Sequence, residues 1–141
     1  MASNTHLIHD PVELGELERD ILTTVWRLGS VTAEQVREEL DRPLKDSTIR
    51  TVLRRLEEKG YLAHETENRT FIYRPAQSPQ RVAGRAVKRI VDWFCDGSVE
   101  ALLVGMVDSK VLDRGELQRL AEHIAVAQKE AGKKPGNKEA K

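Results

Sequence analysis

Ile49, Val52, Leu53 and Leu56 recur at i, i+3, i+4 and i+7. This spacing draws one buried stripe along a helix and suits no strand. Asp46 is the expected N-cap, and Gly60, just past the last periodic residue, is the expected stop. At about 100° per residue, Ser47, Thr51, Arg54 and Glu58 fall opposite the stripe, with Thr48, Arg50 and Arg55 beside them. The free face thus begins with small hydroxyls and continues with arginines. A helix start with small side chains can approach another surface closely, and its amides favour anions. Arginine forks match phosphate oxygens and guanine edges. A solvated polar face is the bland alternative, so the flanking segments have to decide.

The segments before it are helical. Residues 12–28 place Leu14, Leu17, Ile21, Leu22, Val25, Trp26 and Leu28 at amphipathic spacing, and Gly29 ends the run. Trp26 reads as core. Ser30, Val31 and Thr32 are short and extended. Thr32 and Gln35 form a capping-box pattern opening a second helix, with Ala33, Val36 and Leu40 inward and Glu34, Glu38, Glu39 and Asp41 outward. Residues 1–11 are polar and read as a flexible arm.

After Gly60 the period changes to two. Residues 61–66 and 70–74 are β-prone runs joined by Glu67, Asn68 and Arg69. His64, alone on a strand, reads as structural or solvated. Helix, short strand, helix, helix and hairpin is the order of a winged helix-turn-helix. In that motif the second helix of the turn pair enters the major groove. The hairpin then lies beside the backbone, with Arg69 and Arg74 as phosphate contacts. The DNA-binding residues expected are therefore Ser47, Thr48, Arg50, Thr51, Arg54, Arg55, Arg69 and Arg74.

Beyond Pro79 come three amphipathic helices, over about 79–95, 99–107 and from Asp113 on. Some fifty residues are too few for a core of their own, so a second copy is expected to cover them. Val87, Ile90, Trp93, Phe94, Leu102, Leu103, Met106, Leu117, Leu120 and Ile124 are the expected dimerisation residues. The expected architecture is mainly α with a small β-hairpin wing: arm 1–11, winged helix-turn-helix 12–77, helical dimerisation region 78–130 and a disordered tail 131–141.

Composition narrows the function. The 141 residues carry 23 basic and 23 acidic side chains, so any electropositive surface must be local. Residues 45–59 show that bias, with five basic residues against three acidic ones. One cysteine, Cys95, excludes an internal disulfide and a cysteine-rich metal site. No nucleophile–base pairing, glycine-rich phosphate loop or metal-ligand spacing stands out, so neither an enzyme nor a cofactor is expected. Without a signal peptide or a long apolar run, a cytoplasmic protein with no membrane partner is expected. A DNA-binding homodimer is the first reading. A winged-helix protein-interaction module is the alternative, since fold does not fix function.

The stretch from Asp46 to Leu56, with Lys59, Gly60 and Tyr73, and the opening helix from Leu17 to Trp26, resemble the penicillinase-repressor (BlaI/MecI) family. The likeness continues more weakly to about residue 128. It implies a homodimer on a palindromic operator that represses resistance genes. It also implies that the positions of Thr48, Arg50 and Thr51 approach DNA. Members commonly carry lysine where this chain has Ser47. The resemblance further implies a regulatory protease, which in the family cuts an Asn-Phe bond; by position that bond falls at Gly105-Met106. The copper-responsive branch carries a C-terminal cysteine cluster that this chain lacks.

Overall fold

In a computed structural model the chain is described over residues 9–139, with side chains described for residues 9–131. It divides into two compact units, residues 1–90 and 91–141. The division falls inside a helix.

The first unit opens with a 3-10 turn, Pro11–Glu13, capped by the Asp10 carboxylate, which accepts from the Val12 amide at 3.0 Å. Residues 9–11 are therefore ordered and docked. The rest of the expected arm, residues 1–8, lies outside the described residues. Pro11 is buried, and Arg89 forms ion pairs with Asp10 and, at 3.7 Å, with Glu13. A few apolar and charged anchors have outweighed a locally polar composition.

Helix α1, Glu16–Leu28, buries Ile21, Leu22, Val25 and Thr24. The Thr24 hydroxyl donates to the Asp20 carbonyl at 2.8 Å, which satisfies a buried polar group locally. Val31 then bridges Tyr73 through two backbone hydrogen bonds of 2.8 and 2.7 Å. Helix α2, Ala33–Glu39, carries the expected capping box between Thr32 and Gln35.

Helix α3, Asp46–Glu58, buries Ile49, Val52, Leu53 and Leu56 as their spacing requires. Its start differs from expectation. Lys45 is the N-cap and makes no side-chain cap bond, so Asp46 is the first helical residue and its carboxylate turns to Arg50. Its end follows from Gly60 at φ 92°. The Tyr61 amide donates to the Leu56 carbonyl at 2.9 Å and the Gly60 amide to Glu57 at 3.0 Å, a Schellman closure that needs the left-handed residue.

Strands β1, Leu62–Glu67, and β2, Thr70–Pro75, pair antiparallel from Leu62–Pro75 to Glu67–Thr70. Their loop is two residues, Asn68 at φ 52° and Arg69 at φ 66°. Two positive φ values define the turn whose twist matches a hairpin. Tyr61, Leu62, Tyr73 and Val82 complete the core around α1, α2 and α3.

Val82 belongs to helix α4, Pro79–Phe94. Ser78 caps it, and the Trp26 indole donates to the Gln77 carbonyl at 3.0 Å. These bonds bring the first two turns of α4 into the first unit. In the second unit α5, Val99–Asp108, is capped by Ser98, and α6, Arg114–Glu139, opens with a reciprocal Asp113–Glu116 box. The backbone of α6 is helical through residues 131–139, where a disordered tail is expected. Gly132, Pro135 and Gly136 all disfavour a helix interior, and nothing in the structure explains why the helix continues through them. Residues 140 and 141 lie outside the described residues. No helix among the described residues is long and apolar enough to cross a membrane.

Candidate nucleic-acid interface

The outer face of α3 carries the side chains its periodicity places there. Ser47, Arg50, Arg54 and Arg55 are exposed, and Thr48 and Thr51 are half-buried. Ser47, Thr48, Thr51 and Arg55 line one shallow depression together with Leu17 and Val52. The hydroxyls therefore share a recess with the Arg55 side chain. Hydroxyls can donate or accept while arginines donate only, so the face is suited to acceptor-rich partners.

The cations differ in their freedom. Arg50 Nε lies 2.6 Å from Asp46 Oδ2, one helical turn away, and both side chains are about half exposed. That hydrogen bond and charge raise the Arg50 guanidinium above its ordinary value. Arg74 sits 3.4 Å from Glu65 across the hairpin. Among the described residues Arg54, Arg55 and Arg69 form no ion pair. Arg69 stands at the hairpin tip in the left-handed region, an uncommon conformation for a residue with a Cβ.

His64, which the sequence leaves as structural or solvated, joins the helix to the hairpin and takes the structural role. His64 Nδ1 lies 2.7 and 2.9 Å from the two carboxylate oxygens of Glu57 near the end of α3. Its ring stacks on Phe71, with centroids 4.0 Å apart and planes 16° from parallel. Strand alternation was the available clue, because Leu62, His64 and Thr66 must share a face. Beside them burial, and then the Glu57 carboxylate, push the Tyr73 phenol up, while Arg54 and Arg50 act the other way. The arginines of α3 and the base of the hairpin therefore share one electrostatic neighbourhood.

Away from this face, α2 exposes Glu34, Glu38 and Glu39, with Glu39 held 2.8 Å from Arg27. The expected dimerisation residues are largely uncovered. Val87, Ile90, Leu120 and Ile124 are exposed, Trp93 is 57% and Phe94 78% exposed, and Leu102, Leu103, Met106 and Leu117 are half-buried. Among the described residues of the second unit only Val91 is buried.

The chain is similar to the transcriptional regulator BlaI of Mycobacterium tuberculosis, 33% identical over 123 residues that span 84% of this chain and 86% of that protein. It is similar to the penicillinase repressor of Bacillus licheniformis, 24% identical over 77% of this chain and 86% of the relative. Among solved structures it is similar to Streptococcus pneumoniae FabT in complex with DNA, at TM-score 0.44 and 22% identity over 79% of this chain and 78% of that one. The penicillinase repressor family matches residues 14–126, nearly the whole described chain. With its winged helix-turn-helix, its arginine-edged third helix and this match, the chain belongs to the penicillinase repressor family of transcriptional regulators.

Proposed function

We propose that this protein is a homodimeric, cytoplasmic repressor that binds a palindromic operator through α3 and the hairpin. Its class, a DNA-binding transcriptional repressor, follows from the family. The observation that carries the finer reading is the division of α3. Its apolar stripe is buried, Ser47, Thr48, Thr51 and Arg55 share a recess, and Arg50 and Arg54 are exposed on the same helix. In this reading Arg54 and Arg55 reach base edges or phosphates. Arg69 and Arg74 meet the backbone, and the acidic face of α2 points away from it.

The exposed apolar side chains from Val87 to Ile124 support a second copy as partner. A two-fold dimer reads half-sites about 10 bp apart, or a multiple of that. The regulated genes in this reading are β-lactam resistance or related stress genes. A regulatory protease belongs to this reading, but not through the family's standard cut. Its family cleavage position corresponds to Gly105-Met106, and a pocket built to hydrogen-bond an amide strongly rejects a residue that lacks one. A β-lactam challenge followed by mass spectrometry of the repressor is expected to find no fragment ending at Gly105.

The main test is selection of bound duplexes from a random DNA pool, followed by titration at several salt concentrations. An operator with two inverted half-sites and a steep salt dependence is expected. Retention of the pool without enrichment or salt dependence would favour a protein-interaction module.

A further inference from the structure

The hairpin is fastened to α3 at its outer end by one imidazole. Register places Leu62, His64 and Thr66 opposite Pro75, Tyr73 and Phe71, so these six side chains share a face. Leu62 and Tyr73 are buried at the base, whereas every residue from Glu65 through Phe71 is exposed. His64 is therefore the last anchored side chain of β1 before the tip. It touches three elements at once: β1 by its backbone, α3 through the two Glu57 oxygens at 2.7 and 2.9 Å, and β2 by the flat stack on Phe71 at 4.0 Å. A carboxylate only accepts, so Nδ1 carries the hydrogen whether the ring is neutral or charged.

We propose that His64 is a positioning residue for DNA: it sets the angle between the hairpin and α3, and so where Arg69 meets the phosphate backbone. The proposal rests on the reading of Arg69 as a phosphate contact. Five residues of strand beyond His64 extend roughly 16 Å. A tilt of about 10° at the base then moves the tip by about 3 Å, the full length of a hydrogen bond. Arg69 has a left-handed backbone and no ion pair among the described residues to hold it elsewhere. Its placement depends on the strand pair beneath it.

The test uses the full chain, a random-sequence duplex and the selected operator. Arg69→Ala is expected to lower the slope of log affinity against log salt by about 1. His64→Ala should lower it by the same amount, and the double variant by no more than either alone. His64→Gln, which restores a donor to Glu57, should recover most of the wild-type slope. In the free protein, amide exchange of residues 66–70 should quicken in His64→Ala and in Glu57→Ala, while the amides of α1 stay as protected as in wild type. Additive slopes in the double variant, or an unchanged slope in His64→Ala, would overturn the proposal. So would unchanged exchange at the tip, or exchange that quickens equally in α1. If the exchange changes as expected but Arg69→Ala leaves the slope intact, the phosphate reading of Arg69 is what fails, and the proposed role toward DNA falls with it.

Discussion

The Tyr61 hydroxyl lies 2.7 Å from Nδ1 of His9, a residue 52 positions earlier in the chain. Tyr61 is fully buried immediately after the glycine that ends α3. The guanidinium of Arg85, from α4, lies 5.7 Å from the centre of its ring and also donates to the His9 carbonyl. The start of the chain, the end of α3 and the first part of α4 are thereby joined around one phenol. Gln77 extends the network, donating to the Gly60 carbonyl at 2.7 Å and accepting from Arg85.

This junction makes stability fall at both ends of the pH scale. Burial pushes the Tyr61 phenol from 10.0 up to about 12, so the folded chain keeps a proton that the unfolded chain releases. That contribution is complete below about pH 10 and is lost as pH rises toward 12. Burial, and then Lys59, hold His9 below 6.5, so folding favours the neutral ring. Its contribution is present above 6.5 and is lost as pH falls through the folded value. Urea midpoints measured across pH should show both limbs. Tyr61→Phe is expected to flatten the alkaline one and His9→Gln the acid one.

Lys59 Nζ donates to Glu18 Oε2 at 2.7 Å, tying the end of α3 to α1 with both side chains largely covered. Burial alone would raise the Glu18 carboxyl, but the bonds from Lys59 and from the Gly15 amide take it below 4.5. Its contribution is therefore present above 4.5 and lost as pH falls through the folded value. Glu18→Gln should cost about 1.5–3 kcal/mol at neutral pH, the range for a hydrogen bond to a charged group. It should cost much less in acid. Equal losses at both pH values would contradict this.

Asp46 holds the Arg50 guanidinium at 2.6 Å in the free protein. Asp46→Asn should release it and tighten binding to every duplex by about 0.2–1 kcal/mol, the range for exposed pairs. Arg54→Ala should instead cost about 1–3 kcal/mol, on the selected operator only, if Arg54 reads a base edge. Competition titrations with operator and random DNA separate the two effects.

At Arg69 stability and function should move in opposite directions. Glycine at the second loop position would remove the penalty of a Cβ at φ 66°, a gain of about 1 kcal/mol. It would also remove the cation at the tip. Arg69→Gly is expected to raise the melting temperature while flattening the salt dependence of DNA binding. A melting temperature at or below that of wild type would show that the turn carries no such penalty.

The first unit should be less stable when truncated after Ala76 than when truncated after Ile90. The shorter chain loses Val82 from the core, worth about 1.5–3 kcal/mol. It also loses the bond from Trp26 to Gln77, worth about 1 kcal/mol. Circular dichroism melts of the two truncations would measure the difference. Light scattering should report both as monomers and the full chain as a dimer.

The helices, the hairpin and the buried stripe of α3 were legible in the order of residues. Each depends on neighbours within a turn or on strict alternation, as Ile49, Val52, Leu53 and Leu56 show. The Gly60 stop and the Thr32 cap were readable for the same reason. What joins distant segments was not. Asp46 looks like a cap but spends its carboxylate on Arg50, a choice that depends on where the helix starts. His9 and Asp10 belong to a polar stretch, yet Tyr61, Arg85 and Arg89 dock them. Val82, beyond the expected limit at 77, joins the core of the first unit, and Arg85 donates to Gln77. His64 read as structural or solvated, and only tertiary structure placed Glu57 and Phe71 around it. Local propensity is written in adjacent residues, whereas a docking contact needs two distant segments in place at once, and only the folded chain supplies that.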